Sequence, residues 1–251
     1  MEIVYAVFFM LFGLVFGSFF NVVGLRVPKG ESIITPPSHC DGCKRRLTAI
    51  DLVPVLSYIF LGGKCRTCGA KIGFFHPLME LLTGILFTLA YLQFGFTPEL
   101  AVALLFISLL VIITVSDIAY MLIPDKVLLP FAVVLSICRV FSPLDPWWDA
   151  IVGAAVGFGI LFIIAFVSKG GMGGGDIKLF FVIGLVLGFK LTIVALFMSA
   201  VIGLVAGVVQ LMWQKKGRKQ PIPFGPWIAV GSVLTYFYGQ EILEWYTNLL
   251  F

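Results

Sequence analysis

LLVIITVSDIAYMLIPD, residues 109–125, carries its first charge at Asp117. The window 100–116 in front of that acid holds no charged residue at all. A bilayer crossing needs about 17 to 25 such residues. Similar charge-free windows lie at 3–25, 81–98, 150–168, 191–214 and 220–240. Two shorter apolar runs, 127–138 and 179–189, sit between charges and count, with their flanks, as helices four and six. The first segment has no basic start and no A-x-A site, so it reads as a permanent helix. The expected fold is an all-α polytopic membrane protein with about eight transmembrane helices. The composition agrees: 60% hydrophobic, 12% charged, mean hydropathy +1.08. Such a balance excludes a soluble globular domain.

Orientation follows from the basic residues. Of 17 Lys and Arg, eight lie between Arg26 and Lys71. Lys215, Lys216, Arg218 and Lys219 lie between the last two helices. Lys126, Lys169 and Lys178 join them on one face, against Arg139 and Lys190 on the other. The richer face is cytoplasmic, which leaves both termini outside. The net charge of +4 is then a topology signal, and no nucleic-acid partner is expected. Residues 1–25 form the first helix, 26–78 a cytoplasmic zinc-knuckle domain and 79–251 the transmembrane core. Trp147 and Trp148, in SPLDPWWDA (142–150), read as anchors at the headgroup level.

Within 26–78, Cys40, Cys43, Cys65 and Cys68 are spaced as two C-x2-C pairs (CDGC and CRTC). Two such turns bring four thiolates together, which suits tetrahedral zinc. Lys44, Arg45, Lys64 and Arg66 favour the thiolate form. A redox dithiol is the alternative. Four protein ligands leave no open position, so the metal is structural. Cys138 stands alone in an apolar segment and reads as packing.

Asp117 ends one apolar segment; Asp176, in GGMGGGDIK (170–178), opens another. Acids are costly beside hydrocarbon, and those present are functional candidates. The topology puts both at the same face and at similar depth. Two carboxylates that meet cannot both stay charged. They share a proton, and one can activate water while the other protonates a carbonyl. That is the equipment of an aspartic protease. The helix after each acid is short. Eleven residues cover about 16 Å of a roughly 30 Å core, which lets water reach membrane depth. Gly173, Gly174 and Gly175 permit positive φ and the close approach of an extended chain. On residues alone, a loop followed by a helix N-cap explains the same glycines. Asp117 could equally be an ordinary helix-end residue.

Several motifs also carry a resemblance. GGGD at 173–176, with Lys178, looks like a GxGD-x-K motif. SDIAYMLIPD at 116–125 is similar to an Asp followed by a distal Pro-Asp. GSFFNVVGLRVP (17–28), HPLMELLTG (76–84) and PIPFGP (221–226) fall in the matching order. Together with the paired CxxC loop they resemble the type IV prepilin leader peptidases/N-methyltransferases, GxGD aspartic membrane proteases, in their competence-type Gram-positive branch.

The resemblance implies cleavage of the basic leader from prepilins and pseudopilins at the cytoplasmic face. It also implies methylation of the new N-terminus by S-adenosylmethionine. Carried over, the catalytic pair is Asp117 and Asp176. Many relatives have D-x-D where this chain has Ala119, so Asp125 is left as a supporting acid. Arg26, Glu80, Asp125 and Lys178 are the candidates for substrate handling or methyl transfer. The plain alternative is that Arg26 snorkels and Glu80 pairs with it or with Lys71. Glu80, Asp41, Asp51 and Asp125 are candidate partners for a basic leader. No G-x-G-x-x-G follows a predicted strand, so no Rossmann-type site is expected. His39 and His76 read as exposed loop residues. Two rival readings remain at this stage: a non-enzymatic membrane assembly component that docks partners through the knuckle, and a proton-linked transporter, against which the lack of a paired repeat counts.

Overall fold

The structure, a computed structural model, describes residues 1–169, 171–213 and 223–250. Gly170, the basic residues Lys215, Lys216, Arg218 and Lys219, and Pro221 and Ile222 of the PIPFGP motif lie outside the described residues. The elements are helical apart from two isolated antiparallel bridges, His39 to Arg46 and Lys64 to Lys71. The helices are α1 (Glu2–Arg26), α2 (Leu56–Phe60), α3 (Phe75–Phe94), α4 (Pro98–Tyr120), α5 (Asp125–Phe141), α6 (Asp149–Val167), α7 (Gly174–Trp213) and α8 (Gly225–Leu250). Among the described residues five of them, α1, α3, α4, α6 and α7, are long and apolar enough to cross a membrane. The chain forms two compact units, Met1–Val115 and Ser116–Phe251, and the boundary falls inside α4.

In the first unit α1 lies antiparallel to α3. Asn21 Nδ2 donates to the His76 carbonyl at 3.1 Å, and Phe9 stacks on Tyr91 with ring centroids 4.8 Å apart. The opposite face of α1 (Ile3, Val4, Val7, Phe8, Leu11 and Val15) is exposed. That is the surface lipid would cover.

In the second unit α6 runs antiparallel to the first part of α7. The contact is backbone on backbone. A Cβ on Gly184 would collide with the Gly153 carbonyl oxygen, and one on Gly157 with that of Phe180. Small residues four apart on facing helices are the membrane route to close packing, because lipid supplies no hydrophobic drive between helices. Gly184→Val should push α6 and α7 apart and cost the upper end of the about 1–3 kcal/mol typical of overpacking. A lowered thermal midpoint in detergent would register it; an unchanged one would show that this crossing does not hold the unit together.

A straight α7 of 40 residues would be about 60 Å long, twice the hydrocarbon thickness. It is broken at Gly188, whose φ of 75° and ψ of 179° are open only to glycine. The expected helices six and seven are therefore the two parts of one element. The break frees backbone groups at membrane depth, and side chains take them up. Asp149 Oδ1 accepts the Phe189 N–H at 3.2 Å, and Arg139 donates to the Val186 carbonyl. Arg139, expected as a plain charge on the outer face, is thus buried. It also donates to the Ser142 carbonyl at 3.1 Å. Beyond the break, α8 lies antiparallel to the rest of α7, with Gly231 against Ser199 and Gly239 against Leu191.

Candidate active site

Asp117 sits three residues from the end of α4. Beyond it the chain reverses through Met121, which takes a left-handed φ of 53° and donates its N–H to the Asp117 carbonyl at 2.8 Å. Ser116 Oγ closes the reversal on the Leu122 carbonyl, and Pro124 caps α5. The Asp117 side chain is buried. Its Oδ2 accepts the Gly225 N–H at 2.7 Å. Gly225 opens α8, so the carboxylate faces the positive end of a helix, where negative charge is favoured.

Asp176 lies in the first turn of α7 and is half-buried. Its N–H donates to the Gly173 carbonyl at 3.1 Å. The two motifs touch at two points. A Cβ on Gly175 would fall 2.7 Å from Ile123 Cβ, and Lys178 Nζ bonds both Asp125 oxygens, at 2.9 and 2.7 Å. Asp117 is near enough for its charge to act on Asp176 through space. So Asp117, Asp125, Asp176 and Lys178 gather in one place.

The glycines act differently from the expectation. None of Gly171, Gly173, Gly174 and Gly175 takes a left-handed φ. Gly174 and Gly175 are already helical, and Gly175 is small because Ile123 leaves no room. Gly225 was not singled out in the sequence as a partner of Asp117. The PIPFGP motif that contains it was the available signal.

In the first unit each CxxC sits on a matching turn. Cys40 donates its N–H to the Arg45 carbonyl and accepts from Lys44. Cys65 donates to Ala70 and accepts from Gly69. The fourth residue after each leading cysteine, Lys44 and Gly69, takes a left-handed φ of 57° and 70°. The four Sγ atoms lie within 4.8 Å of one another, with Cys40 and Cys68 at 3.7 Å. Tetrahedral zinc at about 2.3 Å from each sulfur requires separations near 3.8 Å, so the donor set fits that ion. The backbone N–H groups of Cys68 and Thr67 lower the Cys65 thiol to about 6, which favours the thiolate a metal needs.

Asp51 braces this knuckle. It accepts from the Thr48 N–H at 3.0 Å and hydroxyl at 2.8 Å, and pairs with Arg45 at 2.9 Å and Arg66 at 3.4 Å. The Thr48 donors first, then Arg45, hold its carboxyl at about 2 against the cost of burial. Asp51 is therefore engaged internally and is no partner for a basic leader. Asp125 is likewise taken by Lys178. Asp41 stays exposed.

Arg26 donates to the Ser32 carbonyl at 3.0 Å. Glu80 is buried on α3 and accepts the Val55 N–H at 2.8 Å. The alternative reading, a pairing of Glu80 with Arg26 or Lys71, does not form; the carboxylate takes the Val55 N–H instead. His76 is a half-buried residue of the first turn of α3, not an exposed loop residue. His39 is exposed, and its Nδ1 lies 3.2 Å from the Pro37 carbonyl oxygen, not on the metal site.

Over residues 104–208 the chain matches the model of the type IV leader peptidase family. It is 46% identical over 239 residues to a prepilin leader peptidase/N-methyltransferase of Bacillus subtilis (strain 168), covering 95% of this chain and 96% of that one. The chain belongs to the type IV leader peptidase family. Residues 11–94 match a second model, the bacterial peptidase A24 N-terminal domain. Proteins of the same name from Aeromonas salmonicida (strain A449) and Pseudomonas aeruginosa are each 30% identical. The Aeromonas match covers 96% of this chain and 93% of that one; the Pseudomonas match covers 94% and 91%. No solved structure matches the chain. Both aspartates of this leader peptidase fall inside the peptidase model, and all four cysteines inside the N-terminal one.

Proposed function

We propose that this protein cleaves the basic leader from type IV prepilins and pseudopilins, and then methylates the new N-terminal amine with S-adenosylmethionine. The observation that carries the first step is the meeting of the Asp117 and Asp176 motifs in one unit, with Asp117 anchored on the α8 N-terminus. The two carboxylates hold one proton between them. Asp117, whose charge α8 favours, takes a proton from water. The water adds to the scissile carbonyl, and Asp176 supplies the proton that the carbonyl oxygen receives. The tetrahedral gem-diol then collapses: the C–N bond breaks as Asp117 returns its proton to the departing nitrogen, and a gem-diol hydroxyl gives its proton back to Asp176. Lys178 keeps Asp125 fixed beside the pair.

The chain is read as crossing the membrane eight times, as α1, α3, α4, α5, α6, the two parts of α7, and α8. The basic excess places the knuckle and the aspartates at the cytoplasmic face and both termini outside. A prepilin dissolves its apolar helix in the bilayer and leaves its leader in the cytoplasm. Its scissile bond then comes level with Asp117. Cys40, Cys43, Cys65 and Cys68 hold structural zinc.

Purified protein incubated with a synthetic prepilin peptide should release the leader. Adding S-adenosylmethionine should raise the mass of the mature product by one methyl group. An intact peptide would refute the assignment.

Gly225 offers a finer test. A Cβ there would lie 2.8 Å from Asp117 Oδ2 and 3.0 Å from its Cγ. Gly225→Ala must therefore displace the carboxylate. Cleavage is expected to fall at least tenfold, because small misplacements of catalytic groups are costly. Full activity in that variant would mean that the Gly225 contact does not position the acid.

A further inference from the structure

Phe180 and Thr192 would stand about 18 Å apart on a straight helix. Both nevertheless lie against Gly157 of α6, where a Cβ would collide with the Phe180 carbonyl oxygen and fall 3.1 Å from Thr192 Cγ2. The two parts of α7 therefore fold back on each other at Gly188. They form a hairpin of two helical arms inside the second unit, with Gly188 as its apex. Gly153 of α6 packs on the apex itself: a Cβ there would fall 2.7 Å from Gly188 Cα.

The free end of each arm serves one of the two acids. Asp176 lies in the first turn of the first arm. The second arm carries Gly203, and a Cβ on Gly203 would fall 2.8 Å from the Phe224 ring. Phe224 precedes Gly225, whose N–H holds Asp117 Oδ2 at 2.7 Å. The second arm thus sets where Gly225 stands, and Gly225 sets where the Asp117 carboxylate points. How far the hairpin opens decides how far apart the two carboxylates lie.

Two side chains from outside the hairpin lash the apex. Arg139, in the last turn of α5, donates to the Val186 carbonyl at the end of the first arm and to the Ser142 carbonyl at 3.1 Å. Asp149, which opens α6, accepts the N–H of Phe189, the first residue of the second arm, at 3.2 Å. A Cβ on Gly188 would collide with Asp149 Oδ2, so this carboxylate lies directly on the apex. Arg139 is 7% exposed. A charge at membrane depth is costly, and a Ser or Thr hydroxyl could take up a single freed backbone group. The guanidinium does more, because its fork of donors ties the first arm to the end of α5.

We infer that Arg139 and Asp149 are positioning residues for leader cleavage: they fix the angle of the hairpin at Gly188, and through its arms the separation of Asp176 from Asp117. This rests on the cleavage proposed above. The lever is long. Asp176 stands about 18 Å from the apex, so an opening of about 5° carries it about 1.5 Å. A misplacement of about 1 Å can cost about 10²-fold in rate.

The test uses the full chain in detergent and a synthetic prepilin peptide. Asp149→Ala and Arg139→Met are each expected to lower kcat for cleavage at least tenfold, with KM near the wild-type value. Carboxylates held farther apart repel less, so the pair's two ionisations should draw together and the bell-shaped pH profile should narrow. Asp125 and Lys178, the other charges gathered beside the pair, are unchanged in these variants. Asp149→Asn keeps an acceptor for the Phe189 N–H and should retain the wild-type rate and profile. Arg139→Lys keeps the charge without the fork, so it should show the same narrowing even if Asp149→Ala or Arg139→Met fails to fold. A merely structural role would lower the thermal midpoint and the yield of active protein and leave the shape of the profile unaltered; that result would overturn the inference. So would wild-type cleavage in both Asp149→Ala and Arg139→Met, or a loss in Asp149→Asn as deep as in Asp149→Ala. A peptide left intact by the wild-type protein would instead remove the cleavage reading, and this inference with it.

Discussion

Asp117→Asn and Asp176→Asn are each expected to lower leader cleavage by about 10³-fold or more, within the 10²–10⁴ range of general acid–base groups and near its upper part. An amide matches a carboxylate in shape and still accepts the Gly225 N–H, so the loss would be chemical. It can neither take a proton from water nor return one. The double variant should be hardly worse than either single one, because groups that act as a unit lose their function together. Cleavage by the native protein should follow a bell-shaped pH profile, reporting the pair's two macroscopic ionisations. Each variant should keep its thermal midpoint. Each should still methylate a precleaved peptide, because methyl transfer needs no proton held between Asp117 and Asp176. Substantial cleavage by either single variant would dismiss the dyad and reopen a non-enzymatic role for these acids.

What the sequence made legible is local. The charge-free windows marked the helices, since a bilayer imposes a length and a polarity on every crossing. The CxxC spacing marked the knuckle because a tetrahedral ion would fix the distance between four such ligands. Asp117 and Asp176 stood out as acids where acids are costly. What stayed hidden depended on long-range partners. Asp117 is held by Gly225, 108 residues away; PIPFGP marked that segment, but nothing in it names Asp117 as the partner. Arg139 looked like an exposed charge. It is drawn inward by the Val186 carbonyl, whose helical partner is lost at Gly188. Glu80 looked available to Arg26 or Lys71, yet a strained loop 25 residues earlier supplies its donor. Asp51 looked like a free acid in a basic loop, and three residues of its own knuckle consume it. Glycines 173–175 were read through backbone freedom. At Gly175 the cause is the bulk of Ile123, which only packing can display.

Removing the metal should have the second large effect, and it should divide the two activities. The loop between α1 and α3 has no buried core of its own beyond Cys65; its order rests on four sulfurs and the Asp51 brace. Structural zinc contributes about 10–16 kcal/mol in isolated finger peptides, more than so small a loop can draw from packing. Chelation, or Cys40→Ser with Cys65→Ser, should therefore unfold residues from about 31 to 73. Cys40, Asp51, Cys65 and Glu80 line one cavity of the first unit, so part of its wall would go with the metal. Methyl transfer and binding of S-adenosylmethionine should drop at least tenfold. Cleavage should suffer less, because Asp117, Asp176 and Gly225 all lie in the other unit. Proteolysis should appear within the loop, and metal analysis should fall from one zinc per chain to none. Restoring zinc to the chelated protein should restore methylation; the cysteine variants should stay inactive in it. Equal loss of both activities would show that the knuckle serves the aspartates as well, and full methylation in a metal-free protein would show that methyl transfer does not need the metal.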